Sequence, residues 1–272
     1  MSGTGEQIRL ARLFNKSENI VVVAVDHGLY FGPLPGLIDL PSAIQNLKQA
    51  DGVLLSAGMA AHCADFFAYR GAPAMILRLN WATNYVAPWE YEHSHSVHLL
   101  NTLDAIRLGA DIVIGSVTLK TPDQAEDAHN VELFAKYVQQ KELAGIPIIC
   151  EVYPIGGDHA KPEDLQEEVA IGCRMAAELG ADLIKTFYTG KGFSLIAAAT
   201  PIPILALGAL KKPTETDALI AAAEAVENGA RGVVFGRNVV QARDPERLLG
   251  ALKEVVKAGI APDVAAKKFR LD

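Results

Sequence analysis

Apolar residues along this chain gather in eight short runs, and helix-patterned polar stretches separate them. The runs cover residues 20–26, 52–56, 74–79, 111–115, 146–153, 183–187, 202–207 and 232–236. None alternates apolar with polar positions. A strand with one wet face alternates; a strand covered on both faces reads as a continuous hydrophobic stretch, which predicts parallel strands packed under helices. Between them, residues 41–49, 93–108, 122–144, 162–179, 215–228 and 244–257 carry the spacing of amphipathic helices. Three of these open on helix-start phrases: Thr121-Pro122, Lys161-Pro162-Glu163-Asp164 and Asp244-Pro245-Glu246. Four end in Leu108-Gly109-Ala110-Asp111, Ala144-Gly145-Ile146-Pro147, Leu179-Gly180-Ala181-Asp182 and Asn228-Gly229-Ala230-Arg231. In each, glycine supplies the left-handed helix end and the chain turns straight into the next strand.

Eight strands alternating with helices is the count that closes a (β/α)8 TIM barrel of the α/β class. An open doubly wound sheet is the competing arrangement. The eight units use up the chain and leave no second domain, so the sequence predicts one barrel over residues 1–272, with 1–19 an N-terminal extension and 260–272 a C-terminal tail. Residues 80–92 form the longest irregular stretch and hold both tryptophans. They follow the third strand, at the mouth, where either a functional loop or an oligomer contact belongs.

Composition narrows the partners. Half the residues are apolar, and the net charge is -7. An acidic chain is poorly matched to nucleic acid, whose phosphates want a basic surface. No apolar stretch reaches about 18 residues, and the first fifteen are polar and amphipathic, so neither a signal peptide nor a membrane span is expected. Cys63, Cys150 and Cys173 form no Cys-x-x-Cys pair, and an odd, scattered set fits a reducing, cytoplasmic setting.

In a barrel of this kind the reacting groups sit at the C-terminal strand ends. The first strand ends in Asp26-His27-Gly28, the third in Arg78-Leu79-Asn80, and the fifth in Glu151-Val152-Tyr153-Pro154. The sixth ends at Lys185, the seventh near Gly208, and the eighth in Gly236-Arg237-Asn238. Lys185 carries the most information. An ammonium is among the last groups a protein buries, so a lysine in an interior strand either snorkels to water or serves as an amine nucleophile toward a carbonyl. One amine, one phenol (Tyr153) and one carboxylate (Asp26) converging on one opening are the parts of an imine-forming carbon–carbon lyase. Each has a plainer reading as well. Asp26 fits a turn cap, Tyr153 a rim aromatic, and Arg237 half of a structural ion pair. Asp26 with His27 also suggests a metal, but a divalent ion wants three or more ligands and the other histidines avoid the strand ends. His93, His95 and His98 read as the solvated face of a segment opening a helix. Gly208, Gly236 and Arg237, with Lys211 and Lys212 nearby, suit a phosphate held between the last two loops.

Taken together, these residues resemble a known family. Val25-Asp26-His27-Gly28, Gly32-Pro33 and Gly36-Leu37, then Tyr153-Pro154, Ile184-Lys185-Thr186-Phe187-Tyr188-Thr189-Gly190 and Gly236-Arg237-Asn238, resemble the motifs of the class I aldolases of the archaeal and bacterial fructose-bisphosphate aldolase type. The likeness runs in order from about Asp26 to about Asn238. It implies a TIM barrel that cleaves or forms a carbon–carbon bond in a phosphorylated ketose, with Lys185 as the Schiff-base lysine. Asp26 would assist imine formation and Tyr153 would act as the general acid/base. Gly208, Gly236 and Arg237, with His27 beside them, would bind substrate and its phosphate. It also implies no metal, no cofactor, and a homo-oligomer built as a ring or double ring. Two departures stand out. Relatives carry a Gly-Gly pair where this chain has Leu207-Gly208-Ala209. Many have an Asp after Tyr-Thr-Gly, where this chain has Lys191-Gly192-Phe193, a phrase more like the branch of autoinducer-2 phosphate thiolases. The aminodideoxyheptulosonate synthases, which perform transaldol chemistry, share Asp-His-Gly and Lys-Thr-x-Tyr-Thr-Gly. Transaldolase or thiolase chemistry is therefore the alternative within the family, and a non-catalytic sugar-phosphate-binding barrel the alternative outside it.

Overall fold

The computed structural model describes residues 3–86, 89, 91 and 93–271. Its strands, in chain order, are β1 (Ile20–Ala24), β2 (Gly52–Leu55), β3 (Ala74–Arg78), β4 (Asn80–Ala82), β5 (Ser96–His98), β6 (Ile112–Val117), β7 (Ile148–Val152), β8 (Leu183–Thr186), β9 (Ile204–Leu207) and β10 (Gly232–Phe235). Eight of them close into a parallel barrel in the order β1-β10-β9-β8-β7-β6-β3-β2, and β4 pairs antiparallel with β5 outside it. The fold is thus the (β/α)8 barrel, each of its eight barrel strands lying where an apolar run predicts one.

Burial on both faces explains why the runs do not alternate. Val22, Leu54, Ile76, Ile114, Ile149, Leu183, Leu205 and Val234 fill the barrel interior, while neighbours such as Val21, Val53, Leu77, Val113 and Val233 pack outward under the helices. Gly109, Gly145, Gly180 and Gly229 all take positive φ (99°, 63°, 101° and 101°), which ends each helix as the sequence phrases require. The seam between last and first strands is closed by Gly232 at φ 130°, where a Cβ would lie 2.1 Å from the Ile20 carbonyl oxygen. Only glycine fits there.

The helix Thr4–Phe14 covers the N-terminal end of the barrel. Leu13 joins the interior cluster, with Leu10 and Phe14 packed against it. Arg9 Nη1 donates to the Gly145 carbonyl at 3.1 Å. Below the barrel, Lys141 Nζ meets Glu6 (2.7 Å), Glu142 (2.9 Å) and Asp182 (3.1 Å).

Two segments depart from their predicted form. Residues 41–49 do not make one helix but a turn of α-helix, Leu40–Ala43, followed by a 3-10 turn, Ile44–Leu47. Of residues 93–108, only Thr102–Arg107 is helical; Ser96–His98 instead pairs with β4. Local polar bonds outcompete the helix there: Thr83 Oγ1 donates to the His93 carbonyl (2.6 Å) and accepts from the His95 amide (2.8 Å). His93, His95 and His98 therefore belong to a loop and strand rather than to a helix face. Within the 80–92 stretch, Ala87, Pro88, Glu90 and Glu92 lie outside the described residues, as do Met1, Ser2 and Asp272. Among the described residues no helix is long and apolar enough to cross a membrane.

Candidate active site

Each side chain at the barrel mouth is delivered by a strand end. Lys185 lies one residue before the end of β8, and the register pairs it with Glu151 on β7. Both project inward, and Lys185 Nζ contacts Glu151 Oε1. The amine is thus paired rather than standing alone. Arg78, the last residue of β3, bridges two carboxylates: its Nη2 meets Glu151 Oε2 at 2.6 Å, and its Nε donates to Asp26 Oδ2 at 2.5 Å. A continuous chain of four charges results, Asp26–Arg78–Glu151–Lys185. All four are buried, with 4%, 2%, 1% and 7% exposure respectively. Lys185 does not snorkel to water.

Aromatic rings wall this chain in. The Arg78 guanidinium carbon lies 5.6 Å from the ring centroids of both Tyr30 and Tyr85. Tyr85 also donates its hydroxyl to Glu151 Oε2 at 2.9 Å. Its ring packs on Tyr153 (4.2 Å between centroids), and Tyr153 packs on Phe187 (5.1 Å). Asp158 lines the same cavity as Tyr153. Asp158 also holds Arg237 through Nη2 at 2.7 Å. Arg237 lies over the Phe31 ring.

Burial sets the proton affinities here, and the neighbouring charges decide where it loses. Desolvation would raise Glu151, but Arg78 and Lys185 overcome it and hold the carboxyl at about 2. Tyr153 is pushed well above the usual phenol range, first by burial and then by the charges of Asp158 and Glu151. His27 drops to about 4 because it is buried, with Lys185, Arg237 and Arg78 pushing the same way and Asp26 opposing them. At neutral pH Glu151 is therefore an anion, Tyr153 keeps its proton, and His27 is uncharged.

The glycines define the floor beside these groups. A Cβ on Gly236 would lie 2.2 Å from the His27 ring, so glycine there lets the imidazole pack flat against the backbone. Ala209 takes φ 49°, the left-handed conformation that a glycine adopts without cost. The Leu207-Gly208-Ala209 departure therefore changes the side chain and retains a glycine-like backbone. Asn238 ties this loop to the last one: its amide nitrogen donates to the Gly208 carbonyl (2.9 Å), and its oxygen accepts from the Lys212 amide (2.7 Å).

Lys185, Tyr153, Asp26, His27, Gly208, Gly236 and Arg237, each singled out from the sequence, all line one cavity of about 60 Å³. Glu151, Arg78, Tyr85 and Asp158 join them without having been assigned a role there. The signal for the first two was a lone charge in an apolar run, Ile149-Cys150-Glu151-Val152 and Ile76-Leu77-Arg78-Leu79. Lys211 and Lys212 do not reach this cavity; Lys211 Nζ donates to the Gln241 carbonyl outside it. Four buried polar atoms around the cavity have no hydrogen-bond partner: His27 Nδ1, Tyr30 Oη, Arg78 Nη1 and Arg237 Nε. Such atoms mark where a ligand's own polar groups would be welcomed. A second cleft, about 700 Å³, adjoins the first at Asp158, Leu207, Gly208 and Ala209. Among the described residues no three His, Cys, Asp or Glu side chains gather as a metal would need.

Comparison with known proteins gives the family. Residues 20–242 match the model of the DeoC/LacD family aldolases. An uncharacterized aldolase of Saccharolobus solfataricus is 31% identical over 260 residues, 93% of this chain and 94% of that protein. The 3-hydroxy-5-phosphonooxypentane-2,4-dione thiolase of Yersinia enterocolitica is 33% identical over 267 residues, 97% of this chain and 87% of its own. Among solved structures, an archaeal fructose 1,6-bisphosphate aldolase superposes with a TM-score of 0.80 at 30% identity, covering 93% of this chain and 99% of the other. A second structure of an archaeal fructose-1,6-bisphosphate aldolase, with the catalytic Lys covalently bound to the carbinolamine intermediate of the substrate, superposes with a TM-score of 0.79 at 30% identity, covering 92% of this chain and 98% of the other. The chain belongs to the DeoC/LacD aldolase family.

Proposed function

We propose that this member of the DeoC/LacD aldolase family breaks or forms a carbon–carbon bond in a phosphorylated keto compound, through an imine between the substrate carbonyl and Lys185. The observation that carries the reading is the buried Lys185 amine, paired with Glu151 and roofed by Tyr153 at the barrel mouth. The amine, freed of its extra proton, attacks the carbonyl carbon. The carbonyl oxygen takes up protons and leaves as water, giving an iminium. In the cleavage direction a hydroxyl proton on the substrate departs to a base. The electrons of the breaking C–C bond flow into the iminium as an enamine, and an aldehyde leaves. Protonation of the enamine carbon and hydrolysis then return the amine.

The charges suit this cycle. Glu151 faces a cation both when the amine is an ammonium and when it is an iminium, so its stabilisation is in place before the charge develops. Tyr153 keeps its proton at rest and so enters as an acid, able to protonate the enamine carbon or an incoming aldehyde oxygen, and it recovers the proton in the reverse direction. Asp26, held by Arg78, assists in carrying protons to and from the carbinolamine oxygen. Arg237, with the backbone at Gly208 and Gly236, receives the phosphate. Borohydride reduction in the presence of dihydroxyacetone phosphate, followed by mass mapping, is expected to leave a stable adduct on Lys185; an adduct on another lysine, or none, would remove that residue from the role.

A second reading keeps the imine and replaces the final acceptor. Lys191-Gly192-Phe193 and the likeness to the Yersinia thiolases favour transfer to a thiol, and Lys191 lines the adjoining cleft of about 700 Å³, which has room for a second reactant. Turnover that requires an added thiol would select this reading over simple cleavage.

A further inference from the structure

Asp158 pairs with one proposed functional group and stands beside another. Its carboxylate meets Arg237 Nη2 at 2.7 Å and lines the same small cavity as Tyr153. The arginine and the aspartate are largely buried, with side-chain exposures of 14% and 11%. A guanidinium offers two parallel donors to a phosphate or carboxylate. Asp158 engages one edge of this fork, while Nε is buried with no partner at all. The aspartate thus occupies the phosphate's place incompletely. It also stands at the boundary between the small cavity of about 60 Å³ and the larger cleft of about 700 Å³, lining both. Sites for small organic ligands usually measure roughly 300–1,000 Å³. Alone, the small cavity holds too little space for a sugar-sized substrate, and Asp158 is part of the wall it shares with the larger cleft. Asp158 sits in a run of turns between β7 and the 3-10 turn Pro162–Leu165, where Gly156 takes φ 67° and no strand or helix fixes the backbone.

We infer that Asp158 is a specificity-determining positioning residue: it holds the phosphate's seat on Arg237 in the ligand-free protein and is displaced by a phosphorylated substrate, releasing Arg237 and withdrawing the carboxylate from the cavity that Tyr153 lines. This rests on the proposed roles of Arg237 and Tyr153. A phosphate dianion brings more charge than the carboxylate and enough oxygens for both Nε and Nη2, so it wins the exchange. A keto compound without a phosphate lacks the means to displace the aspartate. Its carbonyl then meets the small cavity with the Asp158 carboxylate still in place on Arg237. Asp158 thereby makes proton transfer at one end of the substrate conditional on an anion at the other.

The test uses the full chain and two isosteric or smaller replacements, Asp158→Asn and Asp158→Ala, with inorganic phosphate as the binding probe. Titration calorimetry is expected to show phosphate binding about 10-fold more tightly to both variants, because Arg237 is no longer shared with a carboxylate. Deuterium exchange next to the carbonyl, which reports enamine formation, is followed for dihydroxyacetone phosphate and for dihydroxyacetone. The KM for the phosphorylated ketone is expected to fall, exchange into the unphosphorylated one to rise, and the preference between them to shrink by about 10-fold or more. Unchanged or weaker phosphate binding in both variants, with the preference retained, would overturn the inference. Arg237→Gln separates the two levels of the argument. If it abolishes phosphate binding while the Asp158 variants change nothing, only the placeholder role is lost; if phosphate still binds, Arg237 is not the seat and the reading beneath it fails too.

Discussion

The two ends of the barrel each bury a lysine among carboxylates, and they do so to opposite effect. At the base, Lys141 contacts three acids, Glu6, Glu142 and Asp182, and the second oxygen of Asp182 accepts from the Ile148 amide at 2.7 Å. Burial, reinforced by the neighbouring Glu6, raises Asp182 to about 7, so this knot of acids retains a proton near neutrality. None of its side-chain atoms is among the unpartnered ones. At the mouth, two cations meet two acids in the chain Asp26–Arg78–Glu151–Lys185, yet Arg78 Nη1 and three other buried polar atoms around the cavity lack partners. Burial of charge alone does not distinguish a reaction site from a structural clamp. What differs is satisfaction: the charged knot at the base leaves no side-chain atom unpartnered, whereas the one at the mouth does, as the proposed ligand site there requires.

The sharpest way to break this contrast is to remove each lysine. Lys185→Ala is expected to abolish the borohydride adduct and lower kcat/KM by at least about 10⁴-fold, since the covalent route disappears. Turnover surviving at a tenth of the original rate would erase the functional side of the comparison. Lys141→Ala should do the reverse. Stripping the cation from buried Glu6 and Asp182 is expected to cost about 3–5 kcal/mol in denaturant unfolding, with turnover per folded molecule unchanged.

A smaller effect lies in pH. Glu151 sits near 2 when folded against an ordinary 4.5, so its contribution to stability is complete above about pH 4.5 and drains away as the pH falls toward 2. Asp182 has the opposite sign. Its folded value near 7 exceeds the ordinary 3.8, so the folded protein holds the extra proton and loses that stabilisation as pH rises from about 4 through 7. The melting temperature should accordingly climb from pH 2 to about 4 and decline from about 4.5 toward 7. Asp182→Asn is expected to flatten the upper limb and leave the lower one in place.

The same contrast shows what a sequence discloses. The barrel was legible because double-sided burial leaves continuous apolar runs and because helix ends at Gly145 and Gly180 need a left-handed residue. Lys185, Tyr153, Asp26 and Arg237 were legible because strand ends in this fold face one mouth. Glu151 and Arg78 were visible as charges inside apolar runs, but their pairing depends on register: Glu151 meets Lys185 only because β7 and β8 align those two positions. Asp158 sits in a loop whose course no periodicity encodes. The hairpin at Ser96–His98 escaped for a related reason, since Thr83 and its bonds to the histidine backbone lie more than a helical turn away in sequence.

The helix Thr4–Phe14 lies outside the eight-unit repeat, yet its Leu13 reaches the barrel axis and its Glu6 completes the pairing of Lys141. A version of this chain cut to start at Ile20 would keep every mouth residue and lose the stopper at the opposite end. Water would then rise along the axis from below, toward the same Ile149, Leu183 and Leu205 on whose dry packing the lysine's neighbourhood rests.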